Sequence, residues 1–328
     1  MLGLVAVVLA EKHPNFTWQQ CTKSGCTDVH GFLVHDKHMG DIRDRDNADY
    51  PELDYEKHVG VTVSADGRTV VQHLVSHDWE NRKVVGSRIY IVTPDDTKYE
   101  EFQFVGKELS YTVDMSEIEC GVNAALYTVE MPATGKTPGG VKYGYGYCDA
   151  NCVDGDCCPE FDIQEASKHA MVFTTHSCQQ ATSGCDSSGC GYNPYRDDNN
   201  HAFWGTTVNV NQPVTVVTQF RADASGNLNE VRRLYVQGGK TIESPKSLTD
   251  SFCHYNAGDW HSLSNMGASF KKGHVLVFSL WDSDGMNWMD GGNNGGCTSY
   301  NINQLETSNP GLKVTWSNIK FGDLDSTY

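Results

Sequence analysis

The sequence predicts an all-β fold of two packed antiparallel sheets. Three observations carry this: apolar and polar residues alternate over many short stretches, clusters of Gly, Asp and Asn separate them, and sustained 3.6-residue periodicity is scarce. Alternation at every second residue turns one side of a strand toward a core and the other toward water. Residues 60–64, 69–73, 88–92, 109–113, 215–221, 231–237 and 313–319 all read this way. Ala65-Asp66-Gly67 and Ala224-Ser225-Gly226-Asn227 supply turns between such stretches. Residues 275–281 are nearly all apolar and suit a strand buried on both faces.

No Pro-rich or Ser-rich linker interrupts the 328 residues, and strand-like segments continue to Ile319-Lys320-Phe321. Residues 11–328 therefore read as a single domain. Residues 1–10 are apolar, end in Ala10 and are followed by Glu11-Lys12-His13-Pro14. They read as a partial signal peptide, too short to span a bilayer. Asn15-Phe16-Thr17 is a glycosylation sequon and agrees with a secreted, extracellular protein.

The chain carries 42 acidic and 25 basic residues, a formal charge of −17. That charge argues against nucleic acid and anionic membrane surfaces as partners. Neutral polymers remain, and 7 Trp, 15 Tyr and 12 Phe offer flat apolar faces. The twelve cysteines form an even set in tight local groups, which reads as a disulfide framework from an oxidising compartment. Cys21, Cys26, His35 and His38 superficially suggest zinc, but their C-x4-C-x8-H-x2-H spacing misses the finger pattern. No metal or cofactor is expected. Gly238-Gly239-Lys240-Thr241 mimics only the end of a phosphate-binding loop, with Leu234 where its first glycine belongs.

Glu160, Asp162 and Glu165 place three carboxyls within six residues. Retaining cleavage of a glycosidic bond needs two carboxyls about 5–5.5 Å apart, one to attack and one to protonate the leaving oxygen. On a regular strand, 160 and 162 share a face that 165 does not. A bulge near Ile163 and Gln164 would bring all three to one face. Such crowding raises at least one pKa. The plain alternative is three solvated acids on an exposed strand; against it, Cys157-Cys158-Pro159 pins the segment, and Phe161 and Ile163 give it an apolar underside.

These residues, with Gly146-Tyr147-Cys148-Asp149 before them, resemble the active-site strand of glycoside hydrolase family 7. Further segments match in order: Ser87 to Val92, Gly121 to Tyr127, His176-Ser177-Cys178, Gly189 to Arg196, Val275 to Trp281, Met286 to Asp290 and Trp316 to Gly322. The likeness spans about Cys21 to Phe321. It implies a concanavalin-like jelly-roll sandwich with an open cleft, and a retaining mechanism on a β-1,4-glucan. Carried over by position, Glu160 resembles the nucleophile, Glu165 the acid/base, and Asp162 the residue that tunes Glu160. His176 is similar to the histidine beside the leaving group, and Trp281 and Trp288 to platforms flanking the scissile bond. Arg88, which alternates with Ile89 and Ile91, resembles a cleft-lining residue, as do Arg196, Asn123, Tyr127, Tyr147 and Asp149. The resemblance also implies pairs that use every cysteine: 21 with 26, 120 with 297, 148 with 158, 152 with 157, 178 with 185, and 190 with 253.

The chain also departs from the family. Only Val153 to Asp156 separates Cys152 from Cys157, and residues 254–275 are lean, where processive members carry loops that roof a tunnel. A groove and internal cleavage are expected, hence a monomeric endo-β-1,4-glucanase. His35-Asp36-Lys37-His38-Met39 occupies the stretch where a distal platform aromatic is common, which weakens the expected grip on crystalline cellulose. The competing readings are a cellobiohydrolase, a hydrolase of mixed-linkage glucan, xylan or chitosan, and a lectin-like glycan-binding protein.

Overall fold

In the computed structural model, which describes residues 11–41, 52–256 and 258–328, the first elements form a hairpin of β1 (Asn15–Thr22) and β2 (Gly25–His35). Residues 1–10, read as a signal peptide, lie outside the described residues. The other strands along the main hydrogen-bonded path are β3 (Ser87–Val92), β4 (Lys107–Asp114), β5 (Val122–Val129), β6 (Glu160–Ala166), β7 (Met171–His176), β8 (Cys190–Tyr192), β9 (Val214–Ala222), β10 (Leu228–Gln237), β11 (Lys240–Glu243), β12 (His274–Asp282) and β13 (Lys313–Asp323). Hydrogen-bonded order runs β8-β7-β6-β5-β12-β3-β2 and continues β1-β13-β4-β9-β10-β11. Neighbours are antiparallel except β1 with β13, which run parallel.

The two halves of this run face each other across an aromatic core. Phe161 of β6 meets Phe220 of β9 with ring centroids 5.3 Å apart, and Phe278 of β12 meets Trp316 of β13 at 5.9 Å. Edge and tilted geometry of this kind suits the ring quadrupole and fills a sandwich without voids. β12 is buried along residues 274–280, as its apolar run requires. β5 and β7 are buried throughout as well, so neither shows alternation in the sequence.

One helix, α1 (Leu263–Phe270), lies where the sequence shows no sustained helical period. Ser262 caps it by accepting from the Asn265 amide, and Leu263, Met266 and Phe270 bury one face. Gly238 and Gly239 form the two-residue turn between β10 and β11, both with positive φ. That is the hairpin geometry glycine permits, and it accounts for the phosphate-loop mimic.

All six disulfides pair as the resemblance implies. Cys21–Cys26 closes the β1–β2 hairpin, so those sulfurs are not available to zinc.

Candidate active site

The register of β6 slips at one place against both of its neighbours. On β5, Tyr127 pairs with Asp162 but Leu126 with Gln164. On β7, Thr174 faces Asp162 and Val172 faces Glu165. One extra residue is thus accommodated around Ile163 and Gln164, and both turn into the sandwich. Gln164 is fully buried; its amide donates to the Ala124 carbonyl at 3.1 Å, and its oxygen accepts from the Tyr111 hydroxyl at 2.9 Å. Glu165 returns to the face already occupied by Glu160 and Asp162, and the three line a cavity of about 930 Å³.

Each acid has distinct partners. Glu160 accepts from the Ala150 amide at 3.0 Å and sits opposite His176 across the β6–β7 ladder. Asp162 contacts His176 Nε2 at 2.9 Å. Glu165 accepts from the Asn123 amide at 3.0 Å, while the same Asn123 accepts from the Ala166 backbone. Burial, reinforced by the charge of Asp162, holds both glutamates well above the usual carboxylate range. The Ala150 amide and His176 oppose the rise at Glu160. Burial alone would lower His176; the Asp162 hydrogen bond and the charges of Asp162 and Glu160 outweigh it and lift the imidazole to about 10. A cationic histidine among carboxyls that share protons follows from these partners.

Of the expected residues, Glu160, Asp162, Glu165, His176, Arg196, Trp281 and Trp288 border the cavity. Trp288 is 45% exposed, on a short turn of helix at Asn287–Asp290, and presents a face to solvent. Trp281 is next to last in β12, half-buried against Val172, Met286 and Met289. Arg196 is tied to the Gly191 carbonyl and Asp197. Asn123 is fully buried and reaches the site only through Glu165.

Arg88, Tyr127, Tyr147 and Asp149, expected along the cleft, do not border this cavity but form a linked group beside Glu160, about as buried as the acids themselves. Arg88 does face away from Ile89 and Ile91, but the segment from Met131 to Cys158 packs over this end of the sheet. There the Arg88 guanidinium stacks 3.3 Å above the Tyr147 ring and pairs with Asp36 at 3.1 Å. Tyr147 also bridges Tyr127 and Asp149, each at 2.9 Å. Asp36 accepts from the His38 and Met39 amides, so the stretch without an aromatic serves to seat Arg88.

Several features of the site carry no sequence signal. The Ala150 amide and the Asp186 carbonyl, 2.7 Å from His176 Nδ1, are backbone groups delivered by the loops before β6 and after β7. His254, Tyr255 and His261 also border the cavity, brought there by the 190–253 disulfide. Gly189 did stand in a matching segment. Its φ is +63°, and a Cβ there would sit 2.5 Å from His176 Cε1, so only glycine lets the loop close against that ring.

The family described as "Glycosyl hydrolase family 7" has a sequence model that matches residues 45–155 and 153–328. The endo-beta-1,4-glucanase celB of Aspergillus oryzae is 32% identical over 394 aligned positions, covering 97% of this chain and 94% of that protein. Among solved structures, the Humicola insolens endocellulase EGI superposes with TM-score 0.84 at 30% identity, covering 97% of this chain and 98% of that one. A family 7 cellobiohydrolase from Daphnia pulex superposes with TM-score 0.85 at 26% identity and the same coverage. Backbone shape is thus shared by endo-acting and exo-acting relatives alike. The match of the family model over most of the chain, with the celB relative, shows that this chain belongs to glycosyl hydrolase family 7.

Proposed function

We propose that the protein is a secreted, monomeric, retaining endo-β-1,4-glucanase that cleaves soluble or amorphous β-glucan. The observation that carries this reading is the bulge in β6, which gathers Glu160, Asp162 and Glu165 on the wall of a cavity that Trp281 and Trp288 also line. Glu160 acts as nucleophile. Its amide donor and its cationic cross-strand neighbour favour its carboxylate form against the rise that burial and Asp162 impose. Glu165, beneath the charges of Asp162 and Glu160, keeps its proton and gives it to the leaving glycosidic oxygen. Water then replaces the departed sugar, and Glu165, now ionised, takes its proton as water attacks the glycosyl–Glu160 ester. Asp162 holds His176 and shapes the charge at Glu160, while Trp281 and Trp288 supply apolar faces for pyranose rings.

Internal cleavage is favoured by the short loops next to the cavity residues Asn151 and Asp186. The loop inside Cys152–Cys157 turns back within four residues, and Cys178–Cys185 closes a tight hairpin of residues 178–180 with 183–185. Neither is long enough to roof a chain-binding groove. The six disulfides favour an extracellular setting.

Wild type and Glu160→Gln are to be incubated with carboxymethylcellulose while viscosity and reducing ends are followed together. Viscosity falling well ahead of reducing ends is expected for wild type, with both lost in the variant. Cellobiose as the sole early product would instead indicate an exo-acting enzyme. Binding of glucan without release of sugar would indicate a lectin.

A further inference from the structure

Beneath the catalytic strand lies a charged side chain in a place where charge is costly. β10 alternates inward at Val231, Arg233 and Tyr235, and Arg233 is fully buried. Among the described residues no carboxylate lies within ion-pair distance of it. Its guanidinium stacks 4.4 Å from the Phe173 ring centroid, and one nitrogen sits 3.6 Å from the Met171 sulfur. The other terminal nitrogen donates to the carbonyl of Ile163. A buried cation without a counter-ion is tolerated only where its hydrogen bonds have a use the fold cannot dispense with.

Ile163 is the residue at which β6 loses register. A bulge leaves backbone groups outside the ladder, and an unpaired carbonyl in an apolar interior needs a donor. Arg233 provides one from the opposite sheet. Tyr111 of β4 makes a second tie through the bulge, to Gln164. The sandwich interior is otherwise aromatic at this level, with Phe161, Phe220 and Phe270 in mutual contact.

We propose that Arg233 is a positioning residue for the hydrolysis: by holding the Ile163 carbonyl from inside the sandwich, it fixes the bulge whose phase change sets Glu165 beside Glu160 and Asp162. Without that tie β6 has the option of regular pairing, in which residue 165 turns away from the cleft. The inference rests on the assignment of Glu165 as general acid.

The test compares kcat/KM, which reports the glycosylation step, on phenyl β-cellobioside and 2,4-dinitrophenyl β-cellobioside. The first needs protonation of its leaving oxygen and the second does not. Arg233→Met is expected to lower kcat/KM on the phenyl glycoside by about 30-fold or more, while the dinitrophenyl glycoside changes by less than about threefold. Circular dichroism is recorded on the same samples. Should the methionine variant not fold, Arg233→Gln, which keeps a neutral donor with shorter reach, carries the same test with the same selective loss. An equal fall on both substrates in a folded variant, or no fall on either, would overturn the proposal. Glu165→Gln is run in parallel. If it shows no selectivity for the phenyl substrate, the acid assignment fails, whatever Arg233 does.

Discussion

Glu165 carries the sharpest consequence of crowding three acids on one strand. Its carboxyl is held above the ordinary range first by burial and then by Asp162 and Glu160. The folded protein therefore keeps a proton that the unfolded chain has released above about pH 4.3. Stability from this group is full below that pH and is lost as pH rises through the folded value. His176 acts in the same sense: with a folded value of about 10, its contribution is full below about pH 6.5 and fades toward pH 10. Tm measured from pH 5 to 9 should fall steadily, at up to about 1.4 kcal/mol per pH unit for each proton released. Glu165→Gln should flatten that fall and be the more stable protein at pH 8, while losing activity; a slope identical to wild type would refute the shift. At Gly189, replacement by Ala forces a methyl into the His176 ring at a positive φ. It should cost about 1–2 kcal/mol in stability. It should also cost about 10- to 100-fold in kcat, because displacement of a group beside the acids misaligns the reaction. Retention of full activity would show that His176 has room to move.

At the scale of elements, β6 shows both the power and the limit of reading a pattern. Glu160 and Asp162 share a face by simple alternation. Residue 165 breaks the alternation, and that break is legible as a bulge because Phe161, Ile163 and Ala166 must face the core. β12 is legible for the opposite reason, since an unbroken apolar run has no solvent side. What stays hidden is anything delivered by another element. Arg88 keeps its expected side of β3, yet its partners Tyr147 and Asp36 come from other segments, and no local signal in Ser87–Val92 announces them. Arg233 leaves a faint trace, a charge in the inward phase of β10 between Val231 and Tyr235. Its bond to Ile163, 70 residues away in sequence, belongs to sandwich packing alone.

Across the whole molecule, disulfides divide into four local staples, a link of intermediate span at Cys190–Cys253 and one long clamp. Cys120–Cys297 closes a separation of 177 residues and lies beside the buried Asp290, which accepts from the Gly121 amide, Ser167 and Tyr300. By chain entropy the clamp contributes about 5 kcal/mol and the five-residue Cys21–Cys26 staple about 2 kcal/mol. Replacing both cysteines of the clamp with Ala should therefore lower Tm well beyond the same change at 21 and 26; equal losses in a calorimeter would show that native contacts, not chain entropy, dominate. The sequence by itself determined the all-β class, the inward and outward phase of each alternating strand, and the clustering of three acids, because these depend on side-chain period and short-range spacing. Only the tertiary structure decided which backbone amide meets Glu160, which side chains Arg88 stacks on and pairs with, and what secures the bulge beneath Glu165. Those depend on two sheets closing at a fixed distance, and no run of neighbouring residues encodes that distance.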